Sequence, residues 1–292
     1  MLVVKDAEMK DEKCKRILAI HDLSGFGHTS LMAEISIMYR LGIRVCALPT
    51  AVLSANTEYS GSYWVDMSDH LEGLVGHWKS LGLGFDGIHT GFLSSARQAD
   101  QIGNIIDTLK NEGTIVIVDP VMGDVGKLYS CFNSEIIDAM RHLIEKADLI
   151  TPNYFEAAWL AGAEPTGKAD HEAMLSWCRS ISRSKPLKIV VTSAPSRDPD
   201  ILETLYYDPG EDSLERYPFK QKCGKFPGAG DCFAAFLLAG LVNGFSLQRS
   251  VKASVKIMAR AIALEYPKGG DWREGIVLEQ VLQWDLHSYY KD

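Results

Sequence analysis

The sequence predicts an α/β fold of three layers, α-β-α, with a mostly parallel central sheet flanked by helices. Three observations lead there. Short β-branched runs alternate with helical patterns along nearly the whole chain, and such alternation gives parallel sheets covered on both faces. The run 114–119, Thr-Ile-Val-Ile-Val-Asp, is almost wholly β-branched, as suits a strand buried on both faces. Two further strand patterns, 202–207 and 214–219, flank Asp208-Pro209-Gly210 and read as a hairpin.

Residues 16–21 form the first expected strand, broken by Ser24-Gly25-Phe26-Gly27. A helix follows over 28–41, with Leu31, Ile35 and Met38 at helical spacing. Further strands are expected over 43–48, 86–90, 114–119, 148–151 and 187–192. Helices are expected over 65–81, 95–111, 134–146, 153–161, 171–183, 229–243, 246–265 and 275–283. The stretch 194–200, rich in Pro and Asp, reads as a surface loop and not as a domain boundary. No internal repeat or linker divides the chain. The expectation is one domain over 1–292, with 1–15 a poorly ordered N-terminal extension.

Composition narrows the function. The 292 residues carry a formal charge of -8, and no dense Lys/Arg block argues for nucleic acid or an anionic membrane. The six cysteines, Cys14, Cys46, Cys131, Cys178, Cys223 and Cys232, form no CxxC pair, so reduced thiols are expected over disulfides or zinc. The N-terminus is charged and lacks a signal-peptide core. No apolar run approaches the roughly 20 residues of a membrane span. Cytoplasm is the expected compartment.

The segment Phe226-Pro227-Gly228-Ala229-Gly230-Asp231-Cys232-Phe233-Ala234-Ala235 places small residues before a strongly apolar helix. Gly228 and Gly230 let the backbone turn tightly and approach a ligand. The free N–H groups of the first helical turn, with the helix dipole, form an anion site. Asp231 in that turn suits a base that takes a proton from an attacking hydroxyl. Taken alone, the segment equally fits a glycine turn with Asp capping a helix. Two more clusters fall at strand ends: Asp119-Pro120-Val121-Met122-Gly123-Asp124, and Thr151-Pro152-Asn153-Tyr154-Phe155-Glu156. Asn153 and Glu156, three apart, share a helix face. Carboxylates converging on phosphates suit Mg²⁺. There is no GxxxxGK[ST] loop, HExxH or GxSxG motif, and 25–30 lacks the third glycine of a dinucleotide fingerprint.

Together these residues resemble the ribokinase-like superfamily of small-molecule kinases, and within it the vitamin B6 (pyridoxal/pyridoxine/pyridoxamine) kinases, from about 16 to about 265. The Gly228-Ala229-Gly230-Asp231 turn is similar to that superfamily's anion hole with its aspartate base. Asn153 to Glu156 resembles its NxxE magnesium motif. Thr50-Ala51-Val52-Leu53-Ser54-Ala55-Asn56-Thr57 resembles the segment lining the pyridoxal pocket, and Val191-Thr192-Ser193 a strand end that touches nucleotide phosphate. The resemblance implies ATP as co-substrate and Asp231 deprotonating the vitamer's 5′-hydroxymethyl group. It implies Gly228, Ala229 and Gly230 around the transferring phosphoryl group, and Asp124 and Glu156 near Mg²⁺, directly or through water. Asp119 and Thr151 would lie near a monovalent cation, K⁺ or Na⁺, or the phosphates. Asn153, Thr192 and Ser193 would contact ATP. Thr50 would contact the pyridoxal ring, with Phe92 packing on it. The family implies a homodimer. Lys127 is within plausible reach of phosphate and equally fits a solvated loop residue.

Three departures stand out. Asp22 replaces the Ser of many B6 kinases, and Asp22-Leu23-Ser24-Gly25-Phe26-Gly27 resembles the first-strand loop of hydroxymethylpyrimidine kinases. An Asp there, on the substrate side, can accept from a ring N–H or an amino group. Ala229 stands where Thr is common, and Cys232, read as a buried helix thiol, directly follows Asp231. Hydroxymethylpyrimidine kinase is the alternative within the kinases. A non-catalytic B6-binding protein is the alternative outside them.

Overall fold

The computed structural model describes residues 14–168, 170–222 and 224–291. Most of the expected extension, and Cys223, lie outside the described residues. In chain order the elements are β1 (Arg16–Ser24), α1 (Ser30–Arg40), β2 (Arg44–Leu53), β3 (Trp64–Asp66), α2 (Leu71–Ser80), β4 (Gly87–Thr90), α3 (Ala96–Leu109) and β5 (Ile115–Val118). There follow β6 (Gly123–Asp124), β7 (Lys127–Leu128), α4 (Glu135–Ile144), β8 (Leu149–Ile150), α5 (Tyr154–Ala161) and α6 (His171–Ile181). The last are β9 (Lys188–Pro195), β10 (Ile201–Asp208), β11 (Ser213–Lys220), α7 (Ala229–Val242), α8 (Leu247–Ala263) and α9 (Leu278–Val281).

Among the described residues, nine strands form one sheet in the order β11-β10-β9-β8-β5-β4-β1-β2-β3. The six inner strands, from β9 to β2, run parallel. Antiparallel β3 closes one edge, and β10 with β11 the other. The fold is ribokinase-like: a mostly parallel sheet between two helical layers. Side chains alternate across a strand, so each inner strand feeds two cores. Leu18, Ile20, Val116 and Val118 pack with α2 to α6. Ile17, Ala19 and Ile117 pack with α1, α7 and α8. This double burial explains why the inner strands read as unbroken apolar runs. The chain reverses direction across the sheet between β1 and β4. Beyond the carboxyl ends of strands at such a point, α/β sheets bind ligands.

Several boundaries differ from expectation. The helix expected over 65–81 divides into edge strand β3 and the shorter α2. Asp66 ends the strand by accepting the Ser68 N–H at 2.7 Å and the Ser94 hydroxyl at 2.6 Å, a local turn that competes with helix. β2 continues to Leu53 because Ala51 to Leu53 pair with β3. β9 reaches into the expected loop, where buried Ala194 pairs with Glu203. The helix expected over 275–283 shrinks to α9. No helix among the described residues is long and apolar enough to cross a membrane. The described cysteines are free thiols.

Candidate active site

The apolar helix α7 is buried along its length from Cys232 onward, so only its first turn can meet a ligand. Gly228 opens that turn at φ 75°, and a Cβ there would stand 2.7 Å from the His28 carbonyl oxygen. Both the left-handed backbone and the close approach demand glycine. The Ala229 N–H donates to the Phe226 carbonyl at 3.0 Å. The Gly230 and Asp231 N–H groups have no carbonyl four residues back within the helix, as at any helix start. Asp231 Oδ2 accepts the Ser30 backbone N–H at 2.7 Å and lies 3.4 Å from the Ser30 hydroxyl. Ser30 presents that N–H from φ 50°, so α1 and α7 meet head to head and fix the carboxylate.

The second acidic group lies beside this turn. A Cβ on Gly230 would fall 3.7 Å from Asp119 Oδ2. Asp119 is buried at the end of β5. Burial, then the charges of Glu156 and Asp231, pushes its pKa well up, while Thr151 opposes the shift. Glu156 stands at the third position of α5 in a capping box. The Asn153 side-chain oxygen accepts from the Phe155 and Glu156 N–H groups at 2.9 and 3.0 Å, and Glu156 Oε2 accepts the Asn153 N–H at 2.8 Å. Glu156 Oε1 accepts the Met122 N–H at 2.9 Å. Burial raises its pKa to about 7 against those N–H groups, and Asp124 adds to the rise. Asp124 itself is exposed on the β6–β7 hairpin, its Oδ1 accepting the Val125 N–H at 2.7 Å. Lys127 sits exposed opposite it in that hairpin.

The remaining expected residues spread along the same edge of the sheet. The Thr192 N–H donates to Pro152 O at 2.9 Å, and Thr192 bridges to Asn153. The Asn153 side-chain NH₂ reaches Gly123 O at 2.9 Å. Ser193, at φ 54°, lines a cleft of about 660 Å³ with Phe155, Lys168, Arg197 and Gln221. Thr50, fully buried, donates its hydroxyl to Phe92 O at 2.9 Å. The Phe92 ring stacks on Phe132 at 5.7 Å. Asp22, two residues before the end of β1, accepts the Ser24 hydroxyl at 3.0 Å. Burial, then the neighbouring Asp231 charge, raises its pKa, and the Ser24 and Ser30 hydroxyls oppose this. Cys232 is buried, and its thiol pKa is pushed well up by burial and by Asp231, which makes it unreactive.

Sequence reasoning passed over Ser30, whose role rests on a positive φ that no composition signal reveals. It passed over Tyr129 as well, whose pKa rises through burial and then through Glu156, Asp124, Asp231 and Asp119. Its place five residues beyond Asp124, just after β7, was the available signal.

The carboxylates fit a divalent cation. Asp119 and Glu156 are buried carboxylates, with the Glu156 charge raising the Asp119 pKa, and the buried Thr151 hydroxyl has no hydrogen-bond partner in good geometry. A hard cation with oxygen ligands relieves both.

A sheet edge with an open helix start, an acidic cluster and a cleft of this size suits a small-molecule phosphotransferase. The chain belongs to the phosphomethylpyrimidine kinase family, whose model matches residues 27–274. It is a small-molecule kinase. Among solved structures it is similar to a Bacteroides thetaiotaomicron protein described as a phosphomethylpyrimidine kinase, in an orthorhombic form with pyridoxal. That likeness has 34% identity and a TM-score of 0.87, over 95% of this chain and 96% of that one. Pyridoxal kinase from Lactobacillus plantarum is similar at 29% identity and a TM-score of 0.85, over 93% and 96% of the two chains. Among curated proteins, the pyridoxine/pyridoxal/pyridoxamine kinase of Bordetella avium is 29% identical over 85% of this chain and 84% of its own.

Proposed function

We propose that this chain transfers the γ-phosphoryl group of ATP to the 5′-hydroxymethyl group of a B6 vitamer, with Asp231 as general base. The observation that carries the reading is the carboxylate of Asp231, held by the Ser30 N–H in the first turn of α7, whose leading N–H groups have no intrahelical acceptor. A base and an anion site in one turn bring the attacking hydroxyl and the moving phosphoryl group together. Asp231 takes the hydroxyl proton, and those leading N–H groups hold the phosphoryl oxygens as charge shifts on them. With Ala229 donating to Phe226, Gly228, Gly230 and Asp231 supply those donors.

Asp124 is the exposed carboxylate free to face Mg²⁺, and Glu156, buried and bonded to backbone N–H groups, acts through water. Mg²⁺ there would neutralise phosphate charge. Asp119 and Thr151 face the phosphates or a monovalent cation, K⁺ or Na⁺. Ser193 lines the nucleotide cleft, with its chain neighbour Thr192 and the bridged Asn153 beside it, and the cleft volume lies in the usual range for small-ligand sites. Thr50 fixes the 90–92 loop, so Phe92 and Asp22 border the vitamer ring. The chain acts as one domain, in the cytoplasm, as a homodimer.

Phosphorylation of hydroxymethylpyrimidine is the second reading, favoured by Asp22 near the end of β1. Incubation of the purified protein with Mg-ATP and each of pyridoxal, pyridoxine, pyridoxamine and hydroxymethylpyrimidine, followed by ³¹P NMR, separates them. A 5′-phosphate on at least one B6 vitamer supports the first reading. Turnover of the pyrimidine alone overturns it, and no turnover of any would leave only a binding protein.

A further inference from the structure

Beneath the site, between α1 and the neighbouring strands β1 and β4, three ionisable side chains meet in the apolar core. His21 follows Ile20 on β1, His89 lies on β4, and Glu34 comes from α1; all three are fully buried. His21 Nε2 stands 2.9 Å from Glu34 Oε2, His89 Nδ1 stands 3.1 Å from Glu34 Oε1, and the two nitrogens are 3.1 Å apart.

Protons satisfy this triangle only in part: each ring can donate to its own Glu34 oxygen, but the two nitrogens then face one another as donors at 3.1 Å. A ring nitrogen carries either one in-plane proton or one lone pair. His89 Nδ1 faces both a carboxylate oxygen and a second imidazole nitrogen. If it donates to Glu34, it cannot accept from His21. If it accepts from His21, its lone pair opposes the carboxylate. Glu34 Oε2 stands 2.9 Å from His21 Nε2 in poor alignment, and the outer nitrogens His21 Nδ1 and His89 Nε2 have no hydrogen-bond partner. Buried polar atoms left without a partner are destabilising.

The geometry points to a buried divalent transition-metal site, ligated by His21 Nε2, His89 Nδ1 and Glu34, with Zn²⁺ the ion of choice. Two imidazoles and a carboxylate are a donor set that suits zinc. Bonds of about 2.0–2.1 Å in tetrahedral geometry separate donors by about 3.3 Å, so a small outward shift of the triangle admits the ion. One cation uses all three lone pairs at once. The His21 ring is also wedged in place: a Cβ on Gly91 would fall 2.1 Å from its Nδ1. The site lies where the sheet's order reverses, one residue before Asp22. A divalent ion with one carboxylate and two neutral imidazoles leaves a net charge of +1, which opposes the negative charge of the carboxylates above. This inference stands apart from the substrate reading, because metal content is measured without turnover.

The test is the metal content of the full-length protein. It is expressed with zinc in the medium, dialysed against EDTA and analysed by inductively coupled plasma mass spectrometry. A second sample is unfolded in chelator and refolded with Zn²⁺. The expected result is about one transition-metal ion per chain in either sample. An anomalous difference peak at the zinc edge is expected between the three ligand atoms in crystals. Glu34→Gln and His89→Leu should lose the ion. If a variant does not fold, the wild-type stoichiometry and peak still decide. Less than about a tenth of an equivalent of any transition metal in both wild-type samples, or a peak elsewhere, overturns the site and leaves a proton-linked triad.

Discussion

At the scale of single residues, the site rests on groups whose identity was readable but whose constraint was not. Asp231 was legible as a carboxylate after a glycine turn; the Ser30 N–H that aims it was not, because a positive φ at serine leaves no mark on composition. Glu156 was legible as the fourth residue of NxxE. Its bonds to the Asn153 and Met122 N–H groups tie α5 to the 122–123 turn and favour the water-mediated of its two expected ways of serving Mg²⁺. Asp22 carries the specificity question. Its carboxyl is buried and bonded to Ser24, so it meets a ligand as a desolvated hydrogen-bonding group, worth about 1.5–3 kcal/mol to a charged partner. Asp22→Asn should therefore lower kcat/KM for pyridoxamine relative to pyridoxal by roughly tenfold or more, read from initial rates on both vitamers. An unchanged ratio would remove Asp22 from contact with the 4-substituent.

At the scale of elements, the inner strands were legible because double burial forces an apolar run, as 114–119 shows. The hairpin of β6 and β7 was missed. It is two residues per strand, and it exists because Gly123 sits where any Cβ would meet the Lys127 carbonyl oxygen at 2.2 Å. The β10–β11 hairpin was legible from its turn, but the charge cluster that anchors it to α6 was not. Buried Glu203 on β10 pairs with Arg216 on β11 and, at 2.6 Å, with His171 on α6. Burial acts to raise the Glu203 pKa, but the bonds to Arg216 and His171 outweigh it and hold the pKa below the usual value. A depressed carboxylate contributes stability above its unfolded pKa and loses it as pH falls through the folded one. The melting temperature should thus drop as pH falls below about 4.5. Glu203→Gln should cost on the order of 1–2 kcal/mol at pH 7 and flatten that acid limb in thermal scans. An acid limb as steep in the variant as in the wild type would exclude this pair.

At the scale of the whole molecule, the layer order and the position of the site at the carboxyl edge followed from strand–helix alternation alone. Assembly did not. The edge strand β3 was read as part of a helix, so the exposed Tyr63, Trp64 and Val65 beside Val52 went unnoticed. An open apolar edge strand invites pairing with another chain, and it is where a homodimer would close. Trp64→Glu should shift the mass by light scattering from two chains to one; a wild-type monomer would remove the interface.

The central claim is chemical: Asp231 takes the proton of the attacking hydroxyl. Its direct test is the kcat of Asp231→Asn with saturating Mg-ATP and pyridoxal, alongside its thermal stability and ATP affinity. A positioned base contributes about 10²–10⁴-fold, so the account predicts a normally folded, ATP-binding protein whose kcat falls by at least about two decades. Near-normal turnover in that folded variant would contradict it.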